Sequence, residues 1–369
     1  MTGKTDRLHS LDALRGFDMF LITGGSVLLM AFASLVAGHD GTWVHEQMTH
    51  VEWEGLRIFD CIFPLFLFIT GVTFPFSADR RMARGDGKRA IARNIVRRAL
   101  VLVACGCVCE RMQWLDWPHF RVWSVIGRIG VVWGAAAMLS LFCRFRTCVA
   151  IVVLDLVGWW LFLRLVPSPE ASGADPIATQ IGCVANWIDT HYLTTAHRHE
   201  GGLATLAMLP TAMFGIWAGR WLKTAWERRS QSPYVLHMVL AGVAAVMAGW
   251  LWSLPSWGMP VVKNIWTGSY ALINGGISII LLALFHWIID VKGWIAWSFY
   301  FRVIGMNAIV IYMTHFFVPY GQIGDYFLKR VSQSVAVQGW PEFVTALGTC
   351  ITAWLVVYFL YRKNIFVKA

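Results

Sequence analysis

The sequence predicts an all-α, polytopic membrane bundle of about ten transmembrane helices with both termini cytoplasmic, and three observations carry that expectation. Of 369 residues, 57% are hydrophobic and only 14% charged, with a mean hydropathy of +0.57. Apolar runs long enough to cross a hydrocarbon layer of about 30 Å recur along the whole chain. The basic residues fall in short clusters between those runs. The formal charge of +10 therefore reads as membrane topology and excludes nucleic acid as the expected partner. The 21 Trp and 9 Tyr suit aromatic belts at the two interfaces.

The runs lie at 17–37, 57–77, 95–112, 124–142, 147–166, 203–222, 235–254, 267–289, 301–319 and 341–361. The first, from Phe17 to Ala37, is too long for the 7–15-residue core of a signal peptide and is read as a retained span. It carries Gly24-Gly25, which permits close helix contact or a local break. The second opens on Asp60, with Pro64 four residues on. Proline cannot donate to the carbonyl of residue 60, so a kink with a free carbonyl is expected beside the acid. Asn307 and His315 lie in the ninth run, where hydrogen bonding between helices is the simpler reading. No internal repeat is evident, so 1–369 is taken as a single membrane domain.

Charge sets the orientation. Lys4, Arg7, the cluster from Arg80 to Arg98, Arg144, Arg146, Lys223, Arg228, Arg229, Arg362, Lys363 and Lys368 fall on one side. The opposite loops carry only Arg198, Lys263, Lys329 and Arg330. The rule puts the basic side in the cytoplasm. Loops 38–56 and 167–202 then face outward, the second with a short surface helix expected within Ile177–Leu193. Both outward loops are rich in proton-handling groups: His45, His50, Glu52 and Glu54 in one; Asn186, Asp189, His191, His197, His199 and Glu200 in the other.

The stretch His50 to Pro64 concentrates the candidate chemistry. A loop histidine is usually just solvated, and Glu52 and Glu54 fit a hydrated face as well as a tuning role. An aspartate at the head of an apolar run is costlier and faces a cavity, the bundle interior or a partner. A structural ion pair from Asp60 to Arg128 or Arg302 weighs about as much as a functional lining. Asp12, Arg15 and Asp18 are spaced for an ion-pair ladder, with a phosphate-binding role for Arg15 as the sharper alternative. The hydroxyls of Thr267, Ser269 and Tyr270 suit a sugar or a helix cap. The eight cysteines, Cys105, Cys107 and Cys109 included, lack metal spacing and are read as small core residues, so no metal is expected. GxSxG, HExxH, paired CxxC and nucleotide loops are absent. Residues alone leave an enzyme and a sugar or amino-sugar transporter both open.

Five blocks in order resemble the heparan-α-glucosaminide N-acetyltransferase family and its bacterial relatives. They are Arg7-Leu8-x-Ser10-Leu11-Asp12-Ala13-Leu14-Arg15-Gly16; His50-x-x-Trp53-x-Gly55 with Asp60-x-x-Phe63-Pro64; Glu200-Gly201-Gly202-Leu203 through Pro210; Lys263-Asn264-x-Trp266-Thr267-x-Ser269-Tyr270; and Gly305-Met306-Asn307-Ala308. The resemblance implies a transmembrane acyltransferase taking acetyl from cytosolic acetyl-CoA to an amino sugar or glycan acceptor on the far side, in a bacterial inner membrane. It implies His50 as the active imidazole, with Asp60 or Glu52 holding the ring. The anionic phosphates of acetyl-CoA are expected at cytoplasmic basic residues, Arg15 with Arg97 or Arg98, and Asn307 is grouped with them as a donor contact; Trp53, Glu200, Trp266 and Ser269 are the expected acceptor contacts. Homodimerisation is left open. The chain departs from the family at the end of span one, which reads Ile22-Thr23-Gly24-Gly25-Ser26 where the family has an asparagine. It also carries no counterpart of the lysosomal member's luminal N-terminal extension.

Overall fold

The computed structural model describes residues 8–114, 123–193, 201–227 and 231–367. Over these residues it is all-helical, without a β-strand. In chain order the helices are α1 (His9–Phe20), α2 (Ser26–Ala37), α3 (Trp43–Gln47), α4 (Ile62–Ala83), α5 (Lys88–Trp114), α6 (Val125–Phe142) and α7 (Phe145–Leu165). Then come α8 (Val184–His191), α9 (Leu209–Glu227), α10 (Gln231–Ser253), α11 (Gly268–His286), α12 (Phe299–Met306), α13 (Ala308–Phe317), α14 (Tyr320–Ser332) and α15 (Trp340–Arg362). Among the described residues seven stretches are long and apolar enough to cross a membrane, or eight if the bent pair α12–α13 is one span. This is an integral membrane protein. Of the ten expected runs, 95–112 lies in a helix whose first half carries Lys88, Arg89, Arg93, Arg97 and Arg98, and 203–222 begins in a 3₁₀ turn, Leu203–Met208. The short helix expected within Ile177–Leu193 is α8.

The chain forms two compact units. The first comprises Met1–His50, Arg57–Ile62 and Leu281–Ala369; the second comprises Val51–Leu56 and Phe63–Ile280.

In the first unit α1 and α2 form one 29-residue span interrupted by a π-helical turn, Leu21–Gly25. Gly24 there has φ 135°, which only glycine adopts freely, so the local break allowed by Gly24-Gly25 is realised. α1 packs on α12 with backbones in contact. A Cβ on Gly16 would collide with the Phe301 carbonyl, and one on Gly305 with that of Asp12. Between lipid-soluble helices, where apolar side chains gain little by leaving lipid, such close approach is the main source of association. α14 and α15 meet the same way at Gly324 and Gly348. α12 and α13 bend by 65° at Asn307, whose side chain ties down the C-terminal segment.

In the second unit Gly71 of α4 meets Ala212 and Gly215 of α9, and a Cβ on Gly219 would strike Val72. The core here is dense with Phe63, Leu67, Trp133, Met208, Met213, Trp266 and Tyr270. Loop residues 51–56 are pinned by the Gly55 N–H donating to the Val261 carbonyl at 2.8 Å and by an isolated bridge from Glu54 to Val262.

Candidate active site

The centre of the first unit's polar chemistry is built by a short stretch of chain. Arg57 is extended (φ −117°, ψ 163°), and the chain then tightens into a 3₁₀ turn, Ile58–Cys61. That turn folds Asp60 back so that its Oδ2 accepts the Arg57 N–H at 3.1 Å. The α-helix begins only at Ile62, so Pro64 stands in its first turn. There a missing N–H has no helical partner to lose. The expected kink one turn inside the span is therefore replaced by a helix start, and Asp60 sits at the mouth of the span.

The other carboxylate oxygen, Oδ1, lies 2.7 Å from Nδ1 of His50. Asp60 is 1% exposed, whereas the His50 side chain is 25% exposed. This asymmetry matters chemically. A carboxylate shielded from water binds an N–H more strongly, while the imidazole keeps access to a solute. With the Nδ1 proton given to Asp60, the lone pair resides on Nε2, the tautomer a general base or nucleophile needs. The ring also packs on Phe59, centroids 4.8 Å apart. Arg57 locks the loop: its Nη1 donates to Thr49 Oγ1 at 2.8 Å and to the His50 carbonyl at 3.0 Å. Its Nη2 lies 3.8 Å from Glu46. His45, in contrast, has Nε2 3.0 Å from Ser34 Oγ and Nδ1 2.8 Å from Thr42 Oγ1. Both of its ring nitrogens are engaged locally.

The remaining candidates fall as follows. Glu52, in the second unit, has an exposed side chain, and its carbonyl accepts from Asn264 at 3.1 Å; Asp60 takes the ring-holding place. Of the arginines weighed as partners for Asp60, Arg302 has Nη1 3.3 Å from His9 Nδ1, and the charge of Arg128 bears on Asp189. Arg15 pairs with Asp12 at 3.8 Å. The ladder expected to continue to Asp18 stops there. Asp18 is fully buried, and neither oxygen has a hydrogen-bond partner among the described residues. Arg97 is exposed, and the Arg98 guanidinium lies 4.7 Å over the Trp133 ring. Asn307 donates to the Ile365 carbonyl and accepts from the Val367 N–H, both at 3.1 Å, so its amide is spent on the C-terminal segment.

In the second unit Trp53 Nε1 donates to the Ile177 carbonyl at 3.0 Å. Trp266 and Ser269, expected at the acceptor, are fully buried. Trp266 Nε1 donates to Thr211 at 3.2 Å, and Ser269 Oγ donates to the Pro260 carbonyl at 3.0 Å. They shape the loop into α11, with Trp266 in left-handed backbone (φ 50°). Glu200, His197 and His199 lie outside the described residues. Among the described residues Asp189 Oδ1 accepts the Leu203 N–H at 3.0 Å. Burial pushes the Asp189 carboxyl up, against the pull of the Leu203 and Gly202 N–H groups and of Arg128.

Two features escaped the sequence reading. Arg57 was given no role. A second imidazole–carboxylate pair also exists in the first unit: His286 Nδ1 lies 2.9 Å from Asp290 Oδ2, with side chains 2% and 4% exposed. The sequence signal for it was a His and an Asp four apart at the tail of an apolar run. Among the described residues no cluster of three or more metal-ligating side chains forms.

No family model matches the sequence. Comparison with curated proteins finds the human heparan-alpha-glucosaminide N-acetyltransferase, 24% identical over 420 aligned positions that cover 98% of this chain. The mouse protein of the same name is 24% identical over 98% of the chain. The chain is a relative of these acetyltransferases. It spans 60% of the human and 61% of the mouse protein's length.

Proposed function

We propose that this protein is a membrane-embedded N-acetyltransferase that moves acetyl from cytosolic acetyl-CoA to the amine of an amino sugar or related glycan on the opposite face. The observation that carries the reading is the His50–Asp60 pair: a partly exposed imidazole held by a buried carboxylate at 2.7 Å, in a chain related over nearly its whole length to proteins named as N-acetyltransferases.

The chemistry follows from the tautomer. An ammonium acceptor must lose a proton before its nitrogen attacks a thioester. Nε2 of His50 takes that proton, and Asp60 stabilises the imidazolium that forms. The amine nitrogen bonds to the thioester carbon and sheds its second proton, the C–S bond breaks, and the CoA sulfur leaves as thiolate and takes up that proton, while the first remains on His50 until it passes to solvent. An acetyl-imidazole on Nε2 uses the same geometry; a burst of CoA release without acceptor separates the two routes. Arg15, Arg97 and Arg98 are assigned to the phosphates of acetyl-CoA, and Trp53 and Glu200 to the acceptor. Ten spans, cytoplasmic termini and a bacterial inner membrane complete the reading.

The test uses full-length protein in detergent with radiolabelled acetyl-CoA and glucosamine as acceptor. Acetyl transfer and a CoA-dependent rise in melting temperature are expected, with His50→Ala losing transfer but keeping the thermal shift. Absence of both transfer and shift in the unmodified protein overturns the enzyme reading in favour of a carrier. Normal transfer by His50→Ala overturns the site.

A further inference from the structure

The second unit holds a carboxyl group that the proposed chemistry does not use. Asp155 is the central residue of α7, ten positions from both Phe145 and Leu165. At about 1.5 Å per residue it lies roughly 15 Å from either end, the middle of a hydrocarbon layer about 30 Å thick. Its Oδ2 is shielded and has no hydrogen-bond partner among the described residues. An ionisable side chain at that depth normally faces a partner or a ligand path.

Asp155 opens onto a groove of about 360 Å³ between α7 and the 3₁₀ turn Leu203–Met208. The other walls are Leu154, Gly158, Trp159, Phe162, Leu203 and Leu206. That volume falls within the roughly 300–1,000 Å³ of small-molecule sites. A Cβ on Gly158 would meet nothing within 4 Å, so the space continues past the helix backbone. Leu154 is 71% and Leu206 65% exposed, and only 17% of the α7 span is buried inside the protein. The groove mouth therefore faces lipid.

Depth and chemistry together narrow the occupant. An acyl tail satisfies the apolar walls and leaves the carboxyl oxygen unmatched. A phospholipid headgroup stays at the interface, about 15 Å away, and its phosphate repels a carboxylate. What fits is an apolar body carrying an uncharged hydrogen-bond donor that travels to mid-bilayer. We propose that this groove is a lipid-facing binding site in which Asp155 anchors the hydroxyl of a deeply inserted, single-chain amphiphile.

A long-chain alcohol bearing a diazirine near its hydroxyl, such as a photoactivatable hexadecanol, tests this on the full chain in phosphatidylcholine nanodiscs. After irradiation, peptide mass spectrometry should place adducts on residues 154–162 and 203–206. Excess hexadecanol should compete and hexadecane should not. Asp155→Leu, which removes the acceptor, and Gly158→Leu, which fills the groove, should each cut labelling about tenfold. Asp155→Asn, which keeps a carbonyl acceptor, should retain most of it. Labelling spread evenly over the lipid-exposed faces of α7 and α10, or equal competition by hexadecane, overturns the proposal. If Asp155→Leu fails to fold, the competition pair on the unmodified protein and the Gly158→Leu result still decide.

Discussion

At the scale of residues, the first unit separates two histidines five positions apart by what their ring nitrogens touch. His45 is used up by Ser34 and Thr42, and His50 hands one nitrogen to a buried aspartate. That difference makes Asp60 as testable as His50. Asp60→Asn keeps the shape but presents an amide donor or a weaker acceptor to Nδ1, so the ring loses its enforced tautomer. The expected outcome is a fall in kcat of about 10²–10⁴-fold with the KM for acetyl-CoA little changed, read from steady-state acetyl transfer. An unchanged kcat would reduce the pair to a structural contact. Arg57→Leu removes the one nitrogen, Nη1, that donates to both Thr49 Oγ1 and the His50 carbonyl. It should lower kcat by about tenfold without changing the melting temperature by more than a few degrees.

A different carboxylate carries the pH prediction. Burial alone would raise Asp175, but the N–H groups of Ala178 and Ile177 and the Arg164 guanidinium overcome it and hold the carboxyl below its usual range. A folded-state value below the unfolded one contributes stability that is fully present above the unfolded value and is lost as pH falls through the folded value. Melting temperature should therefore drop between about pH 4 and lower pH by less in Asp175→Asn than in the unmodified protein. Parallel pH profiles for the two proteins would contradict that assignment.

At the scale of elements, backbone contact at glycine is the recurrent device. Gly16 and Gly305 let α1 and α12 touch, and this pairing supports the helix that leads to the His50 loop. Gly16→Val should cost about 1–3 kcal/mol or more through overpacking, seen as reduced detergent-solubilised yield and a lower melting temperature. Gly87→Ala, whose Cβ would meet nothing within 4 Å, serves as the neutral control. Equal behaviour of the two variants would show that the α1–α12 contact tolerates separation. The bend at Asn307 is a second element-level device. The helix turns by 65° there, and the buried Asn307 amide spends both its functions on residues 365 and 367.

At the scale of the whole molecule the strongest prediction concerns sidedness. Cysteines introduced at His39 and at Gly87, which flank the single span Ile58–Ala83 in sequence, should react with a membrane-impermeant maleimide from opposite faces. Position 39 should label from outside intact cells and position 87 only after permeabilisation. Labelling of both from one face would refute the orientation derived from charge.

What the sequence determined by itself is the class of the molecule. Long apolar runs and their basic flanks report directly on the cost of burying charge in lipid, which acts on each segment separately and needs no knowledge of its neighbours. The choice of His50 over His45 came from the resemblance of its block to a known family, not from hydropathy or charge. What only the tertiary structure decided is which polar groups meet. Asp60 was expected one turn inside a kinked span, but a 3₁₀ turn before Ile62 brings it to His50. Asp18 was expected in a ladder and is instead buried apart from it, and Trp266 and Ser269 proved to be packed inward. His286 and Asp290 were missed because a spacing of four is common, and only burial gives it meaning. Hydrogen bonds between side chains depend on ångström-level placement of several segments at once, and a one-dimensional pattern of hydropathy and charge does not encode that placement.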